Sequence, residues 1–274
     1  MARTWFITGT SRGFGREWAE AALERGDRVT ATARDVSALD DLAAEYGTDV
    51  LLPLALDVTD RPAVLAALAR ADEHFGRLDV VVNNAGYGQF GMIEENSEQE
   101  IRAQFETNVF GAIWVTQAAL PYLRDSGGGN IIQVSSIGGI SAFANIGVYN
   151  ASKWALEGFS QALAQEVALF GIKVTLVEPG GYSTDWGGSS AKHATPLEAY
   201  EKVREQAAEA RSKRVANPGD PAATRSAILK VVDAENPPLR IFFGAGPLGI
   251  ATADYESRLA QWREWQPVSI EAQG

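Results

Sequence analysis

The chain has no cysteine. That excludes disulfides, a thiolate nucleophile and any cysteine-ligated metal. Only two histidines are present, His74 and His193, far apart in the sequence, so a dedicated zinc site is disfavoured. No apolar run reaches the roughly 18–20 residues of a membrane span. The first residues pass directly into a strand-like run with no cleavable apolar segment. A cytoplasmic protein without membrane association is expected. Basic residues are scarce: 24 Lys and Arg face 35 Asp and Glu, a formal charge of −11. That argues against nucleic-acid binding, which needs a basic surface. Apolar residues, by contrast, make up 46% of the 274, enough to cover both faces of a sheet.

Strand-like and helix-like stretches alternate, the pattern of βαβ units in an α/β protein with a parallel sheet. Strands are expected at 3–8, 28–33, 50–56, 78–82, 130–135, 173–177 and 239–243. Pro53 sits awkwardly in the third, because proline cannot donate to a ladder. Helices are expected at 16–25, 36–46, 61–75, 97–123, 149–170, 195–213 and 221–233. Ser97 and Glu100 stand at the capping-box offset. No repeat or linker divides the chain, so residues 1–274 are expected to form one domain.

Two stretches carry chemistry. Tyr149 and Lys153 lie four residues apart in a helical run, which puts them on one face. A nearby cation lowers a phenol's pKa and makes it a better proton donor near neutral pH. Ser136 lies thirteen residues upstream of the tyrosine. At the amino terminus a β-rich run leads into Gly9-Thr-Ser-Arg-Gly13-Phe-Gly15 and then a helix. Strand, glycine-rich turn and helix form a pyrophosphate cradle. The glycines let backbone approach the phosphates, and the helix N-terminus favours their charge.

The chain resembles the single-domain short-chain dehydrogenase/reductase family. The matching pieces are Thr8-Gly9-x-x-x-Gly13-x-Gly15, Asp57, Asn83-Asn84-Ala85-Gly86, Asn108, Ser136, Tyr149-x-x-x-Lys153 and Pro179-Gly180. The resemblance extends to about residue 245. It implies a Rossmann-type, doubly wound parallel sheet of about seven strands with helices on both faces. It also implies a nicotinamide cofactor and carbonyl–alcohol interconversion. Tyr149 would be the general acid in reduction and, as tyrosinate, the base in oxidation. Lys153 would lower the phenol's pKa and hold the nicotinamide ribose. Ser136 would hydrogen-bond the substrate oxygen, and Asn108 would support Lys153 through a water. Gly9, Ser11, Arg12, Gly13, Phe14 and Gly15 would cradle the pyrophosphate. Asp57, Val58, Asn84, Ala85 and Gly86 would line the adenine side. Pro179 and Gly180 would lie against the nicotinamide, with Thr184 on its carboxamide.

Cofactor choice is read at the end of the second strand. Ala33 occupies the position where an acid would favour NAD, and Arg34 follows it. With Arg12 nearby, two guanidinium groups suit the extra phosphate of NADP, and NADP(H) is expected. Asp35 is the competing residue: a one-residue slip would bring it to the ribose and favour NAD.

Residues 183–215 are expected to close over the substrate. The charge run of its helix reads as a solvated face. Phe143, Ile146, Tyr182 and Trp186 are expected pocket walls and suggest an apolar alcohol or ketone. The tail, 246–274, carries a stripe of Tyr255, Leu259, Trp262 and Trp265, which would pack on the protein's own surface or on a sister subunit. Together with the segment before it, the tail resembles the hydroxysteroid- and retinol-dehydrogenase-like branch. A homodimer or homotetramer is expected by resemblance, with Ile101, Phe105 and Val109 as interface or core. Two other readings compete: a non-catalytic NADP-binding regulator or redox sensor, and a sugar-nucleotide epimerase or dehydratase of the related longer branch. The four intact polar residues argue against the first. The compact length and the glycine spacing argue against the second.

Overall fold

A computed structural model describes residues 2–274. Seven parallel strands form one sheet: β1 (Thr4–Thr8), β2 (Arg28–Ala33), β3 (Leu51–Ala55), β4 (Val80–Asn83), β5 (Gly129–Val134), β6 (Ile172–Pro179) and β7 (Arg240–Phe243). Their order is β3-β2-β1-β4-β5-β6-β7. The order reverses between β1 and β4, and a crevice opens there at the carboxyl ends of the strands, where ligands bind in such folds. The alternation of strands and helices is thus realised as a doubly wound Rossmann-type sheet.

Both faces of the sheet are buried, which is why the strands read as continuous apolar runs. Side chains alternate between faces along a strand. In β1, Trp5 and Ile7 join Trp18, Leu42 and Ile228 on one side. Phe6 joins Val64, Leu68, Val115 and Leu123 on the other. The first side is covered by helices α1 (Gly13–Glu24), α2 (Asp40–Tyr46) and, from near the far end of the chain, one spanning Thr224–Asp233. The second is covered by α3 (Arg61–Phe75) and by segments of the 97–125 and 147–167 regions. The indole N–H of Trp18 donates to Thr224 Oγ1 at 2.8 Å, which locks α1 to that late helix. Pro53 finds its place because β3 is an edge strand: its missing donor faces away from the ladder with β2, where it pairs with Ala31.

The expected helix at 97–123 is three pieces. α4 (Glu98–Phe105) starts on the Ser97–Glu100 capping box, with Ser97 N–H donating to Glu100 at 2.8 Å. A π-helical segment, Glu106–Gly111, follows, and then α5 (Ala112–Asp125). The wider turn brings Asn108 inward, 2% exposed, and presses Gly111 on Val58, where a Cβ would lie 2.6 Å from its methyl. Apolar periodicity does not register such a bulge, and π-bulges occur often at functional sites. Next comes α6 (Gly147–Val167), two residues earlier than expected. The charged region is α7 (Glu201–Arg214), and the Thr224–Asp233 helix is α8.

The tail forms α9 (Pro247–Glu271), in which only Pro247 and Ala251 are buried. Tyr255, Leu259, Trp262 and Trp265 are all exposed, so the stripe does not pack on the protein's own surface as one of the two expected outcomes had it. Ile101 and Phe105 are half-buried and Val109 is buried. No helix among the described residues is long and apolar enough to cross a membrane.

Candidate active site

The turn after β1 is shaped by two glycines in the left-handed region, Gly9 at φ +71° and Gly13 at φ +60°. Gly15 serves a different end. A Cβ there would lie 2.5 Å from Asn84 Nδ2 and closer still to the Gly9 carbonyl. Asn84 Nδ2 itself donates to the carbonyls of Thr8 and Gly9, both at 2.9 Å. Thr8 Oγ1 in turn accepts the N–H groups of Asn84 and Ala85, both at 3.0 Å. Asn84 therefore ties that strand end to the glycine turn. Asn83, the last residue of β4, instead donates to Thr116 Oγ1 of α5 at 2.9 Å.

These strand ends open on a cleft of about 1490 Å³, well above the roughly 300–1,000 Å³ of an ordinary small-molecule pocket. It has room for a dinucleotide and a second molecule. The cleft is lined by the residues expected to hold cofactor and substrate and to do the chemistry, except Gly15 and Asn108. Asp57 lines it while its Oδ1 accepts from Thr59 N at 2.9 Å. Arg34 lines it and, among the described residues, forms no salt bridge. Asp35 does not line it: its carboxylate caps the next turn, accepting from Ser37 Oγ at 2.7 Å, and these bonds hold its pKa below the usual range. Arg12 also lines the cleft but is engaged. It reaches across the mouth to Asp185 at 2.9 Å and Ser190 Oγ at 2.7 Å.

The inner end holds Ser136, Tyr149 and Lys153. α6 presents Tyr149 and Lys153 on one face, as the four-residue spacing requires, and both are almost fully buried. Lys153 Nζ donates to the Val134 carbonyl at 2.8 Å and lies 5.8 Å from the centre of the Tyr149 ring. Burial pushes the phenol up to about 12, against a smaller opposing effect of the Ser136 hydroxyl. Burial pulls the ammonium down to about 8, opposed by Glu157. The expected lowering of the tyrosine by the lysine is not what the structure shows. Desolvation dominates here, and a sequence carries no measure of it. Asn108 is held directly, donating to the Tyr87 carbonyl and to Ser152 Oγ, both at 3.1 Å.

Phe143, Ile146 and Trp186 pack with Phe90 and Tyr149 in one apolar cluster. The Trp186 and Tyr149 rings are 4.8 Å apart. Tyr182 stands apart, edge-on to Phe14 at 4.9 Å, nearer the glycine turn than the other three.

The sequence profile of the short chain dehydrogenase family matches residues 3–195. The chain belongs to this family. It is 42% identical over 271 residues to the oxidoreductase BOA17 of Botryotinia fuckeliana, covering 98% of this chain and 99% of that one. The crystal structure of a short-chain dehydrogenase from Streptomyces avermitilis superposes with a TM-score of 0.92 at 42% identity, covering 99% of both chains. A short chain dehydrogenase from Burkholderia cenocepacia, solved in complex with NADP, gives 0.75 at 26% identity, covering 96% of this chain and 97% of that one.

This short-chain dehydrogenase also holds residues that the sequence reading passed over. One group lies behind Lys153: Glu178 is 0% exposed and Glu157 5%, with Arg240 Nε 2.8 Å from Glu157 Oε2 and 3.6 Å from Glu178 Oε1. Burial, reinforced by Glu157, pushes Glu178 up to about 8, with Arg240 opposing. The folded state therefore keeps a proton that the unfolded chain releases above its ordinary value of 4.5. This contribution to stability is complete below the unfolded value and is lost as pH rises toward 8. Glu178→Gln, neutral at every pH, is expected to raise Tm at about pH 9 and to change it little at about pH 5. A gain of roughly 1 kcal/mol, about 2–4 °C, should separate the two melts.

Two further residues are Arg211, half-buried, and Arg214, exposed, which line the cleft from the end of α7. A signal was present. Lys213 has Glu209 one turn earlier and pairs with it at 2.7 Å, whereas Arg211 and Arg214 follow Ala207 and Ala210 and have no acid to pair with along the helix.

Proposed function

We propose that the protein is an NADP(H)-dependent oxidoreductase that interconverts a carbonyl and an alcohol. The observation that carries this reading is the convergence of Ser136, Tyr149 and Lys153 at the inner end of a cleft whose outer end is the glycine turn. The turn fits a dinucleotide: Gly9 and Gly13 adopt left-handed backbone, and Gly15 lets the helix approach where a side chain would collide. The cofactor supplies the hydride. The protein supplies geometry and a proton. Tyr149, kept protonated by burial, donates to the substrate oxygen as negative charge develops there, and Ser136 offers a second hydrogen bond. Lys153 places a cation one turn from the phenol and binds the nicotinamide ribose. Asn108, in the π segment, holds Ser152 beside Lys153. The segment 183–215 covers the substrate, with Phe143, Ile146 and Trp186 as apolar walls.

The choice of NADP rests on Arg34, a cation in the cleft without a carboxylate, while Asp35 is engaged by Ser37. The NADP complex of the Burkholderia cenocepacia relative is consistent with it. Titration with NADPH and NADH, followed by turnover of a ketone and aldehyde panel, tests the reading. Arg34→Ala is expected to weaken NADPH about tenfold or more, the worth of a charge-assisted hydrogen bond, and to leave NADH nearly unchanged. Tighter binding of NADH by the native protein would assign the ribose to Asp35 instead.

A further inference from the structure

The chain carries an excess of eleven negative charges, yet the substrate side of its cleft is basic. Arg211 lies 5.1 Å over the Phe90 ring and 5.8 Å over Trp186. Arg214 lies 4.1 Å over Phe143. Among the described residues neither guanidinium forms a salt bridge or a side-chain hydrogen bond. Asp185, the acid on the adjoining loop, is engaged by Arg12. Partial desolvation and the charge of Arg211 both lower the pKa of Arg214, so the two cations oppose one another. Stacking on rings leaves the N–H edges of a guanidinium free. The indole N–H of Trp186 is also buried without a partner, and its ring neighbours both Arg211, at 5.8 Å, and Tyr149, at 4.8 Å.

Donors without acceptors at one end of an apolar passage describe a ligand. Resting on the reductase reading above, we propose that the substrate is an amphiphile, a carbonyl or alcohol on an apolar body with an oxyacid group that Arg211 and Arg214 bind together. The carbonyl meets Tyr149 and Ser136. The apolar body lies along Phe143, Ile146 and Trp186. The carboxylate or phosphate stands one aromatic ring away from the phenol, where the two forks can each donate twice. This replaces the purely apolar substrate that the pocket walls alone suggest.

The test compares benzoylbutyrate, its methyl ester and benzoylpropylphosphonate as substrates with NADPH. Either acid is expected to exceed the ester in kcat/KM by about tenfold or more, and the better of the two names the head group. The acid-to-ester ratio is expected to fall about tenfold in Arg211→Gln and in Arg214→Gln, to be partly retained in Arg214→Lys, and to shrink as salt is raised. Equal kcat/KM for acids and ester in the native protein, or a ratio that neither substitution moves, overturns the proposal. If no ketone is reduced, the reductase reading fails, and titration calorimetry of the NADP⁺-loaded protein carries the test. Tighter binding of an acid than of the ester then upholds the oxyacid site, and equal binding removes it.

Discussion

Tyr149→Phe is expected to lower kcat for carbonyl reduction by about 10²–10⁴-fold, the usual worth of a positioned general acid, while NADPH still binds. The substitution removes one hydroxyl and keeps the ring. The packing of Tyr149 on Trp186, with ring centres 4.8 Å apart, is therefore preserved. What is lost is the hydroxyl, with its proton and its hydrogen bond with Ser136. Burial holds the phenol up at about 12, so the native group is protonated throughout the neutral range and available to a carbonyl oxygen. Stopped assays of product and a parallel titration of NADPH fluorescence separate chemistry from binding. Loss of both together would point to collapse of the site. Full turnover by the phenylalanine variant would remove Tyr149 from the reaction. A protein that binds the cofactor and turns over nothing in its native form would answer to the regulator reading.

Gly15→Ala is expected to abolish measurable cofactor binding and to destabilise the fold by about 1–3 kcal/mol, the cost of overpacking a tight site. The new methyl would meet backbone and the Asn84 amide, and Asn84 is the group that holds the glycine turn to the end of β4. A flexible side chain would yield. The Gly9 carbonyl cannot yield without moving the turn that must receive the pyrophosphate. Gly13→Ala is the instructive comparison. Its nearest neighbour would be Thr184 at 3.8 Å, so there is space, and the cost is the left-handed backbone alone, about 1–2 kcal/mol. Thermal melts and NADPH titrations of both variants are expected to rank Gly15→Ala as the more damaging. Equal effects would mean that backbone strain, not close approach, governs the turn.

Most of the fold was legible because each layer has a local signature. Apolar runs such as Val80–Val82 mark buried parallel strands, and the Ser97–Glu100 capping box marks a helix start. The spacing of Tyr149 and Lys153 sets one helical face, and the glycines between β1 and α1 mark a cradle. These are properties of neighbours in the chain, fixed by backbone geometry at periods of two and 3.6 residues, so the sequence by itself determined the family, the sheet and the motif residues Ser136, Tyr149 and Lys153 that line the inner end of the cleft. What depends on distant partners was decided only by the tertiary structure. The π segment at Glu106–Gly111 exists because Tyr87 and Ser152 accept the amide of Asn108. Pro53 fits because the topology leaves β3 at an edge. Arg12 is drawn to Asp185, and Asp35 is spent on its own turn. Burial reverses the expected shift of Tyr149, and the sheet closes Glu178 against Glu157. Arg211, half-buried, and Arg214, still exposed, line the cleft. Each of these turns on desolvation or on a contact between residues far apart in the chain, and those quantities come into being only when the chain is packed.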